Sequence, residues 1–437
     1  MKKLGILIFV PALWAQDTRH VREPSIPASC ATIEARLPTV LVESDETKLD
    51  TARIQAAIDG CPQHRAVVLK GGSFLSGPLV LKSGVTLAID AGATLYASRN
   101  PRDYDTSPGK CGTTDNIGKG CKPLISGDGV SDAAVMGAGT IDGRGGAKLT
   151  GMNVTWWDLA EEARVKNNHQ NVPRLVVISH GRNFTLYRIT LKNSPNFHVV
   201  FSGDGFTAWG VQIYSPKRSR NTDGIDPTNA TNVTIAHSLI HAGDDQVALK
   251  AGTGEVSHVT IAHNHFYAGH GMSIGSETMG GVSAIRVTDL SIDGSDNGLR
   301  IKSNSSRGGL VHDVVYEDVC IKDTKNPIFM DSNYSFSDAN RDKPPAYRDI
   351  TFRNVRVMDG GKLTFDGLDS SHRLGMILES LTVLGNPSIL ARHAEFEIGP
   401  GPVNIAPSGE DVRIMGRPAD GPGQSCAGKF PALPLTP

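Results

Sequence analysis

Three aspartates, one histidine and two cations recur in the middle of the chain at intervals close to one structural repeat. They are Asp223, Asp244, Asp245, His270, Arg300 and Lys302. Asp223 and Asp244 are 21 residues apart, Asp245 and His270 are 25 apart, and His270 and Arg300 are 30 apart. If each interval is one turn of a solenoid, all six side chains lie on one face of a few stacked strands. Such a cluster has the groups needed to cut a glycosidic bond in an anionic sugar polymer.

The carboxylates are the first part of that chemistry. Hydrolysis of a glycoside needs one carboxylic acid to protonate the leaving oxygen and one carboxylate to activate water or to attack carbon. Asp223, Asp244 and Asp245 supply three candidates on two adjacent turns. Because crowded carboxylates cannot all ionise easily, we expect one of them to have a raised pKa. A single Asp beside Gly is usually a turn residue. The prediction of a catalytic site therefore depends on the recurrence of the aspartates at about one repeat.

His270 and the cations extend the cluster. His270 stands between two glycines, which let the backbone approach a ligand and leave the ring exposed. Its expected role is to hydrogen-bond the neighbouring acid or to contact the sugar. Arg300 and Lys302 are two residues apart and therefore point to the same face of a strand. Arg binds a carboxylate through two parallel hydrogen bonds, so this pair predicts a substrate that carries carboxylates.

A repeat in the surrounding sequence supplies the scaffold. Eight short runs rich in β-branched residues start at Phe184, Phe206, Val233, Val259, Ile285, Val314, Ile350 and Met376. Asn, Gly, Asp and Ser separate the runs, which indicates strands joined by turns. A period in the twenties, with strands and no helix, is typical of a parallel β-helix. We therefore predict an all-β chain that forms a single parallel β-helix of about ten turns.

The ends of the chain differ from this repeat. Residues 1–15 have a basic start, an apolar stretch and small residues up to Ala15, which predicts a signal peptide and a secreted protein. An N-terminal extension is expected over 16–48 and the catalytic coil over 49–397. Within the coil, Asp50 to Asp59 is expected to form a capping helix, and Thr155 to Val165 a second short helix or a looped excursion. The Pro- and Gly-rich residues 398–437 are expected to form a loosely ordered tail.

Charge and cysteine content limit the partners and the compartment. The formal net charge is -1, so the chain has no overall field for nucleic acid or anionic lipid. Six cysteines fit an oxidising compartment. Cys111 with Cys121 is the best-supported pair, and Cys30–Cys61 with Cys320–Cys426 is one arrangement for the rest. We expect no metal site, no cofactor and no membrane span, and nothing in the sequence implies an oligomer, so we expect a monomer.

The chain resembles the polygalacturonases that fold as right-handed parallel β-helices, over about Ser25 to Val383. It is most similar to secreted endo-acting enzymes of bacteria that degrade plant tissue. The motifs that carry this resemblance, in order, are Asn221-Thr-Asp-Gly-Ile-Asp-Pro, Gly243-Asp-Asp-Gln-Val-Ala-Leu-Lys, Gly269-His-Gly-Met-Ser-Ile-Gly-Ser and Leu299-Arg-Ile-Lys-Ser. Each is weak alone, but the four in this order and spacing are strong. Gln246 departs from many fungal relatives, which have Cys there.

The resemblance implies inverting hydrolysis of α-1,4-linked galacturonic acid in polygalacturonate. Asp244 would be the general acid, and Asp223 and Asp245 would activate water. The remaining implied roles are support of the acid by His270, binding of substrate carboxylates by Arg300 and Lys302, a place near the sugar for Tyr334, and a neighbouring subsite for His198 and Asn196. Inversion implies an acid-to-base separation of about 6.5–9.5 Å.

Four other readings stay open at the level of sequence. A pectate lyase uses the same type of coil but cleaves by elimination, usually with calcium, and the sequence has no dense calcium cluster beside the aspartates. A hydrolase of decorated pectin, such as rhamnogalacturonan or xylogalacturonan, is the second. An exo-acting enzyme is the third, although no long insertion is present to block one end of the groove. A non-catalytic pectin-binding solenoid is the fourth, and the full set of acids and cations makes it the weakest.

Overall fold

A computed structural model describes residues 16–334 and 342–434, so the predicted signal peptide lies outside the described residues. Strands dominate, and nearly all of them join one 29-stranded sheet whose named strand pairs are parallel. The sheet is wound into a coil with three ladders of stacked strands, which confirms the predicted parallel β-helix. Among the described helices, none is long and apolar enough to cross a membrane.

The helices are α1 (Thr51–Gly60) and α2 (Trp156–Val165), with 3₁₀ turns at Glu43–Asp45 and Pro101–Tyr104. The strands are β1 (Ser29–Glu34), β2 (Arg65–Lys70), β3 (Ser73–Ser76), β4 (Leu79–Val80), β5 (Val85–Ile89), β6 (Thr94–Ala97), β7 (Thr113–Asp115), β8 (Ile125–Asp128), β9 (Ala134–Met136), β10 (Thr140–Asp142), β11 (His169–Asn171), β12 (Val176–Tyr187), β13 (Thr190–Lys192), β14 (Val199–Trp209), β15 (Gln212–Tyr214), β16 (Ile225–Ala236), β17 (Leu239–His241), β18 (Val247–Leu249), β19 (Val256–Tyr267), β20 (Met272–Ile274), β21 (Val282–Asp293), β22 (Asn297–Lys302), β23 (Leu310–Lys322), β24 (Asn326–Asp331), β25 (Ala346–Tyr347), β26 (Ile350–Val357), β27 (Lys362–Asp366), β28 (Leu374–Val383), β29 (Ser388–Arg392), β30 (Ala394–Ile398) and β31 (Val412–Met415).

The predicted repeat is the physical repeat of the coil. Phe184 pairs with Phe206, which pairs with Val233, and the series continues through each predicted start to Met376. The structure adds Phe396 on β30 as a further member. Residues at equivalent positions of the repeat therefore stack at the strand spacing of about 4.8 Å.

A residue with positive φ precedes most of these starts and turns the corner of the coil. Asn232 has φ 54°, and Gly205, His258, Ala284 and Asp313 have φ 82°, 56°, 56° and 52°. The left-handed region suits Gly and Asn. The expected turn at Asn232 is thus confirmed, whereas His258 and Ala284 adopt a conformation that disfavours their side chains.

The interior is a continuous apolar column. Leu186, Ala208, Ile235, Ile261 and Val287 follow one another in register and are fully buried. Because the column continues unbroken from turn to turn, it keeps consecutive strands in one register. That register determines which outward-facing side chains are neighbours.

The N-terminal end of the core is covered by α1, as predicted, with Ile54 and Ile58 fully buried. The coil itself reaches further toward the N-terminus than 49–397, because β1 pairs in parallel with β2. The predicted helix near Thr155 is also present, as α2. The expected Cys111–Cys121 disulfide is formed, and the other four cysteines pair as Cys30–Cys61 and Cys320–Cys426, the arrangement that the sequence left open.

The C-terminal segment is not the loosely ordered tail that its composition suggested. Its strand β31 pairs in parallel with β30. The Nη1 atom of Arg356 donates to the main-chain oxygens of Pro422 and Gln424, both at 2.7 Å, and Cys426 is bonded to Cys320. Pro and Gly disfavour regular structure, but these side-chain and covalent links hold the segment against the coil.

Candidate active site

One ladder of the coil brings the predicted site residues together. Ile225 pairs with Val247, which pairs with Met272. Two residues before each of these stand Asp223, Asp245 and His270, so the three occupy one column on adjacent turns. Arg300 and Lys302 belong to β22, the next strand of the same ladder, where Arg300 pairs with Ser273. Residues that are about one repeat apart in the sequence therefore lie close together in the structure, as predicted.

Asp244 and His270 form a direct pair. The Nδ1 atom of His270 lies 2.8 Å from Oδ1 of Asp244. Burial by itself would raise the pKa of Asp244, but the hydrogen bond and the charge of His270 hold it below its usual value. Burial likewise lowers the pKa of His270, and the contact with Asp244 outweighs burial, so the His270 pKa is raised. At a pH between these two pKa values the pair holds one proton, mainly on His270.

Asp245 is held by both predicted cations. Its Oδ1 accepts from Ser273 at 2.6 Å and from Arg300 at 3.2 Å, and its Oδ2 accepts from Lys302 at 2.8 Å. Burial would raise the pKa of Asp245, but Lys302 and Arg300 shift it strongly in the opposite direction, well below its usual range. The side chains of Arg300 and Lys302 are only 7% and 9% exposed. In this state the two cations are engaged with Asp245 and keep it ionised.

Tyr334 lies at the same place, as expected. Its hydroxyl accepts from Nη2 of Arg300 at 3.3 Å, and its ring centroid lies 5.3 Å from the Arg300 guanidinium carbon. The ring also lies 5.6 Å from Nζ of Lys302. Tyr334 thus contacts both cations.

Asp223 has partners that were not predicted. The Nζ atom of Lys250 lies 2.9 Å from Oδ2 of Asp223 and 2.5 Å from Oδ2 of Asp226. Burial is the main reason that the pKa of Asp223 is raised well above its usual value, and the repulsion of Asp226 adds to it. Burial raises the pKa of Asp226 to about 6. The raised pKa predicted for one of the crowded carboxylates is thus found at Asp223 and not at Asp244.

His198 cannot line a subsite, because its side chain is fully buried. Its Nδ1 lies 2.9 Å from the main-chain oxygen of Asp223, and its Nε2 lies 3.0 Å from Oγ of Ser215. Burial lowers the pKa of His198 to about 4, so the ring is neutral at ordinary pH. His198 therefore holds the backbone of Asp223 in place through the main-chain oxygen. Asn196 is also buried, with 8% exposure, similar to that of Arg300 and Lys302, and its place in a subsite stays a prediction.

The packing of the coil requires the glycines on either side of His270. Gly269 and Gly271 have φ 64° and 83°, and a side chain on either would overlap the backbone of a neighbouring turn. Gln246, fully buried, accepts from the Gly271 amide and donates to the main-chain oxygens of Tyr267 and Ala268. Gln246 thus orients the loop that carries His270, a role that the comparison with fungal sequences did not suggest.

The acids next to His270 are the one group of potential metal ligands in the described ranges. One atom from each of Asp244, Asp245 and His270 lies within 4.8 Å of the others. Lys302 and Arg300 already contact both oxygens of Asp245. Because those cations supply the positive charge that a metal would bring, the arrangement favours acid–base chemistry by side chains.

Comparison with known proteins agrees with this chemistry. The sequence profile of "Glycosyl hydrolases family 28" matches residues 62–388. An endo-polygalacturonase of Pectobacterium parmentieri is 45% identical over 385 residues, which cover 86% of this chain and 92% of that protein. A polygalacturonase of Ralstonia nicotianae is 40% identical, over 97% of this chain and 93% of that protein.

A solved structure shows the same fold. The polygalacturonase from Erwinia carotovora ssp. carotovora superposes with a TM-score of 0.77 and 41% sequence identity. The superposition covers 92% of this chain and 96% of that one. The family match spans every catalytic candidate from Asp223 to Lys302. The chain belongs to glycosyl hydrolases family 28.

Proposed function

We propose that Asp244 is the general acid of an endo-acting polygalacturonase, and that Asp245 and Asp223 activate the attacking water. The observation that carries this assignment is the difference in partners between the neighbouring residues Asp244 and Asp245. Asp244 contacts a histidine that can supply a proton, whereas Asp245 contacts two cations that keep it ionised. An acid and a base can arise from the same residue type in this way.

The enzyme class has independent support. The chain is a glycoside hydrolase that acts on pectin, and its 45%-identical relatives from Pectobacterium are endo-polygalacturonases. Exopolygalacturonases and a xylogalacturonan hydrolase share the coil at 20–23% identity, which supports only the fold. The exo-acting and decorated-pectin readings therefore rank below endo action on polygalacturonate.

The proposed cycle begins with the proton held between Asp244 and His270. When the glycosidic oxygen approaches, Asp244 takes that proton from His270 and delivers it to the leaving oxygen. Asp245, ionised by its two cations, accepts a proton from water as the water attacks the anomeric carbon. Asp223, fixed through His198 and Lys250, orients the same water. The bond from the anomeric carbon to the leaving oxygen breaks as the bond to the water oxygen forms.

The stereochemical part of the proposal has a sharp test. Nearest ligand atoms of Asp244 and Asp245 lie within 4.8 Å, which is shorter than the carboxyl separation of about 6.5–9.5 Å in inverting enzymes. Inversion therefore requires that the water be held on the Asp223 side of Asp245. Proton NMR of the first product in an unbuffered time course should show the β anomer from an α-linked substrate, and the α anomer would mean retention.

Export is also part of the proposal. It rests on the sequence of residues 1–15, with cleavage after Ala15, and on the three disulfides, which form in oxidising compartments. We propose a monomer that acts outside the cytoplasm, without a cofactor. Mass spectrometry of the protein recovered from culture medium should give an N-terminus near Gln16, and retention inside the cell would contradict it.

Product size over time tests the central activity. The enzyme should release a broad ladder of saturated oligomers early in digestion of unesterified polygalacturonate. Monomer or dimer alone would mean exo action, and unsaturated, ultraviolet-absorbing products would mean a lyase. Binding of the polymer without any cleavage would indicate a non-catalytic pectin-binding solenoid.

A further inference from the structure

Arg174 is a cation beside the site that has no assigned role. It precedes β12, its side chain is exposed, and its guanidinium carbon lies 4.9 Å from the ring centroid of Phe197. The same ring has Nζ of Lys250 at 4.1 Å. Within 16–334 and 342–434, no hydrogen bond or ion pair joins the Arg174 guanidinium to another residue. An arginine that rests on an aromatic face in this way is preorganised for a planar anion.

The register of the ladder places Arg174 in the catalytic column. Val176 pairs with Val199, which pairs with Ile225. Counting two residues back from each gives Arg174, Phe197 and Asp223. Main-chain hydrogen bonds agree, from Leu175 to Phe197 at 3.1 Å and from His198 to Asp223 at 2.9 Å. Arg174 is therefore two strand spacings, or about 10 Å, from Asp223 along the axis of the coil.

Arg300 lies on the same ladder beyond the acids, three positions further along its strand than the row that contains Arg174 and Asp223. Along the ladder, β12 and β14 precede the strand that follows Asp223, while β20 and β22 come after the strand that follows Asp245. The acids therefore stand between Arg174 on one side and Arg300 with Lys302 on the other. A polymer that runs along this ladder, with its scissile bond over the acids, passes a cation on each side.

The cations on the two sides of the acids differ in whether a carboxylate of the protein already binds them. Arg300 and Lys302 are already bound to Asp245, whereas among the described residues no carboxylate is in hydrogen-bond contact with Arg174. Surrounding protein atoms desolvate the exposed Arg174 guanidinium enough to lower its pKa, and the more distant Asp226 and Asp223 only partly oppose this. A guanidinium that rests on an aromatic face and has no carboxylate partner is available to bind an incoming carboxylate.

We propose that Arg174, supported by Phe197, binds a galacturonate carboxylate on the side of the scissile bond opposite Arg300 and helps to set which bond of a short oligomer is cut. This inference rests on the proposed function. Arg174 is a substrate-binding residue in this account and takes no part in proton transfer.

The test compares Arg174→Gln with Arg182→Gln. Arg182 is also exposed and belongs to β12, but lies beyond the corner of the coil on another ladder. Loss of one charge-assisted hydrogen bond should raise KM on polygalacturonate about 10-fold to 100-fold, with a much smaller change in kcat. Cleavage of reducing-end-labelled hexagalacturonate should move to a different bond. Arg174→Lys should restore part of the affinity, and Arg182→Gln should match the parent enzyme.

Several outcomes would overturn the inference. They are an unchanged KM and cleavage pattern in Arg174→Gln, or an equal change in Arg182→Gln. A fall in kcat alone would also contradict it, because that would indicate disturbance of the acids. Phe197→Leu gives a second readout and should produce a smaller rise in KM in the same direction. If the parent enzyme itself fails to cleave polygalacturonate, the proposed function fails instead, so the two failures are distinguishable.

Discussion

The Nδ1 atom of His270 lies 2.8 Å from Oδ1 of Asp244, and the two pKa values move apart. The Asp244 pKa is lowered although burial raises it, and the His270 pKa is raised although burial lowers it. A pair of this kind titrates as a unit with one shared proton. The catalytic proton is therefore held by the pair until substrate binds.

Replacing His270 should damage turnover and move one limb of the pH profile. In His270→Asn, Asp244 must hold the proton alone. The basic limb of kcat should then shift to lower pH, because a carboxyl group loses its proton below the pH at which the raised His270 does. We expect kcat to fall about 10²-fold.

His263→Asn is the matched control, because Nδ1 of His263 lies 2.7 Å from Oδ2 of Asp289, away from the site. It should leave the pH profile unchanged. An unshifted basic limb in His270→Asn would show that His270 does not share the catalytic proton.

Lys302 should determine the acid limb. Burial raises the pKa of Asp245, and Lys302 is the largest of the contacts that lower it. In Lys302→Met the Asp245 pKa rises, so the enzyme loses its ionised base at a higher pH than the parent does. The acid limb of kcat/KM should move toward neutrality, while Lys362→Met, at the start of β27, should have no effect. An acid limb that stays in place would remove Asp245 from the role of base.

Lys250 should matter for both stability and activity. In Lys250→Met, Asp223 and Asp226 lose the cation between them, so the pKa values of these buried carboxyl groups rise further. A carboxyl group whose pKa is raised on folding favours the folded state at low pH, and that contribution is lost as pH rises through the raised pKa. The variant should therefore be least affected near pH 4 and lose about 3–5 kcal/mol near pH 7.

Chemical denaturation of Lys250→Met and the parent enzyme at both pH values measures this difference. A stability loss that does not depend on pH would indicate a packing defect rather than loss of the buried ion pairs. Turnover of the variant at neutral pH should fall as well, because Asp223 is no longer held.

The C-terminal disulfide should stabilise the protein more than the short one. Cys320 and Cys426 are 106 residues apart, whereas Cys111 and Cys121 are 10 apart. Since a longer closed loop removes more entropy from the unfolded chain, loss of Cys320–Cys426 should cost about 4 kcal/mol or somewhat less. Urea unfolding of the two double Cys→Ala variants makes the comparison. A larger loss from the Cys111–Cys121 variant would contradict this chain-entropy explanation.

Much of the fold could be predicted because the coil repeats a simple pattern. Phe184, Phe206 and Val233 occupy one position of successive turns, so a period visible in the sequence is a contact in the structure. The same logic brought Asp223, Asp245 and His270 together. The C-terminal segment was misjudged because its order comes from Cys426 and from hydrogen bonds to Arg356, which composition does not show.

The contacts between site residues were harder to predict. Lys250 is the last residue of the motif that begins at Gly243, but a lysine on an outward face is usually solvated, and only the fold places it between Asp223 and Asp226. The sequence predicts a subsite role for His198, because residue type does not reveal that the side chain is fully buried. Arg300 and Lys302 were assigned to substrate, yet in the free protein they bind Asp245, since the nearest carboxylate is the protein's own.

The most direct test of the account is turnover by Asp244→Asn on unesterified polygalacturonate, measured as release of reducing ends, together with polymer binding by calorimetry. Asn matches Asp in size but cannot deliver a proton, so turnover should fall about 10³-fold or more while binding stays within a few-fold of the parent. Near-normal turnover with intact binding would contradict the assignment of Asp244 as the acid.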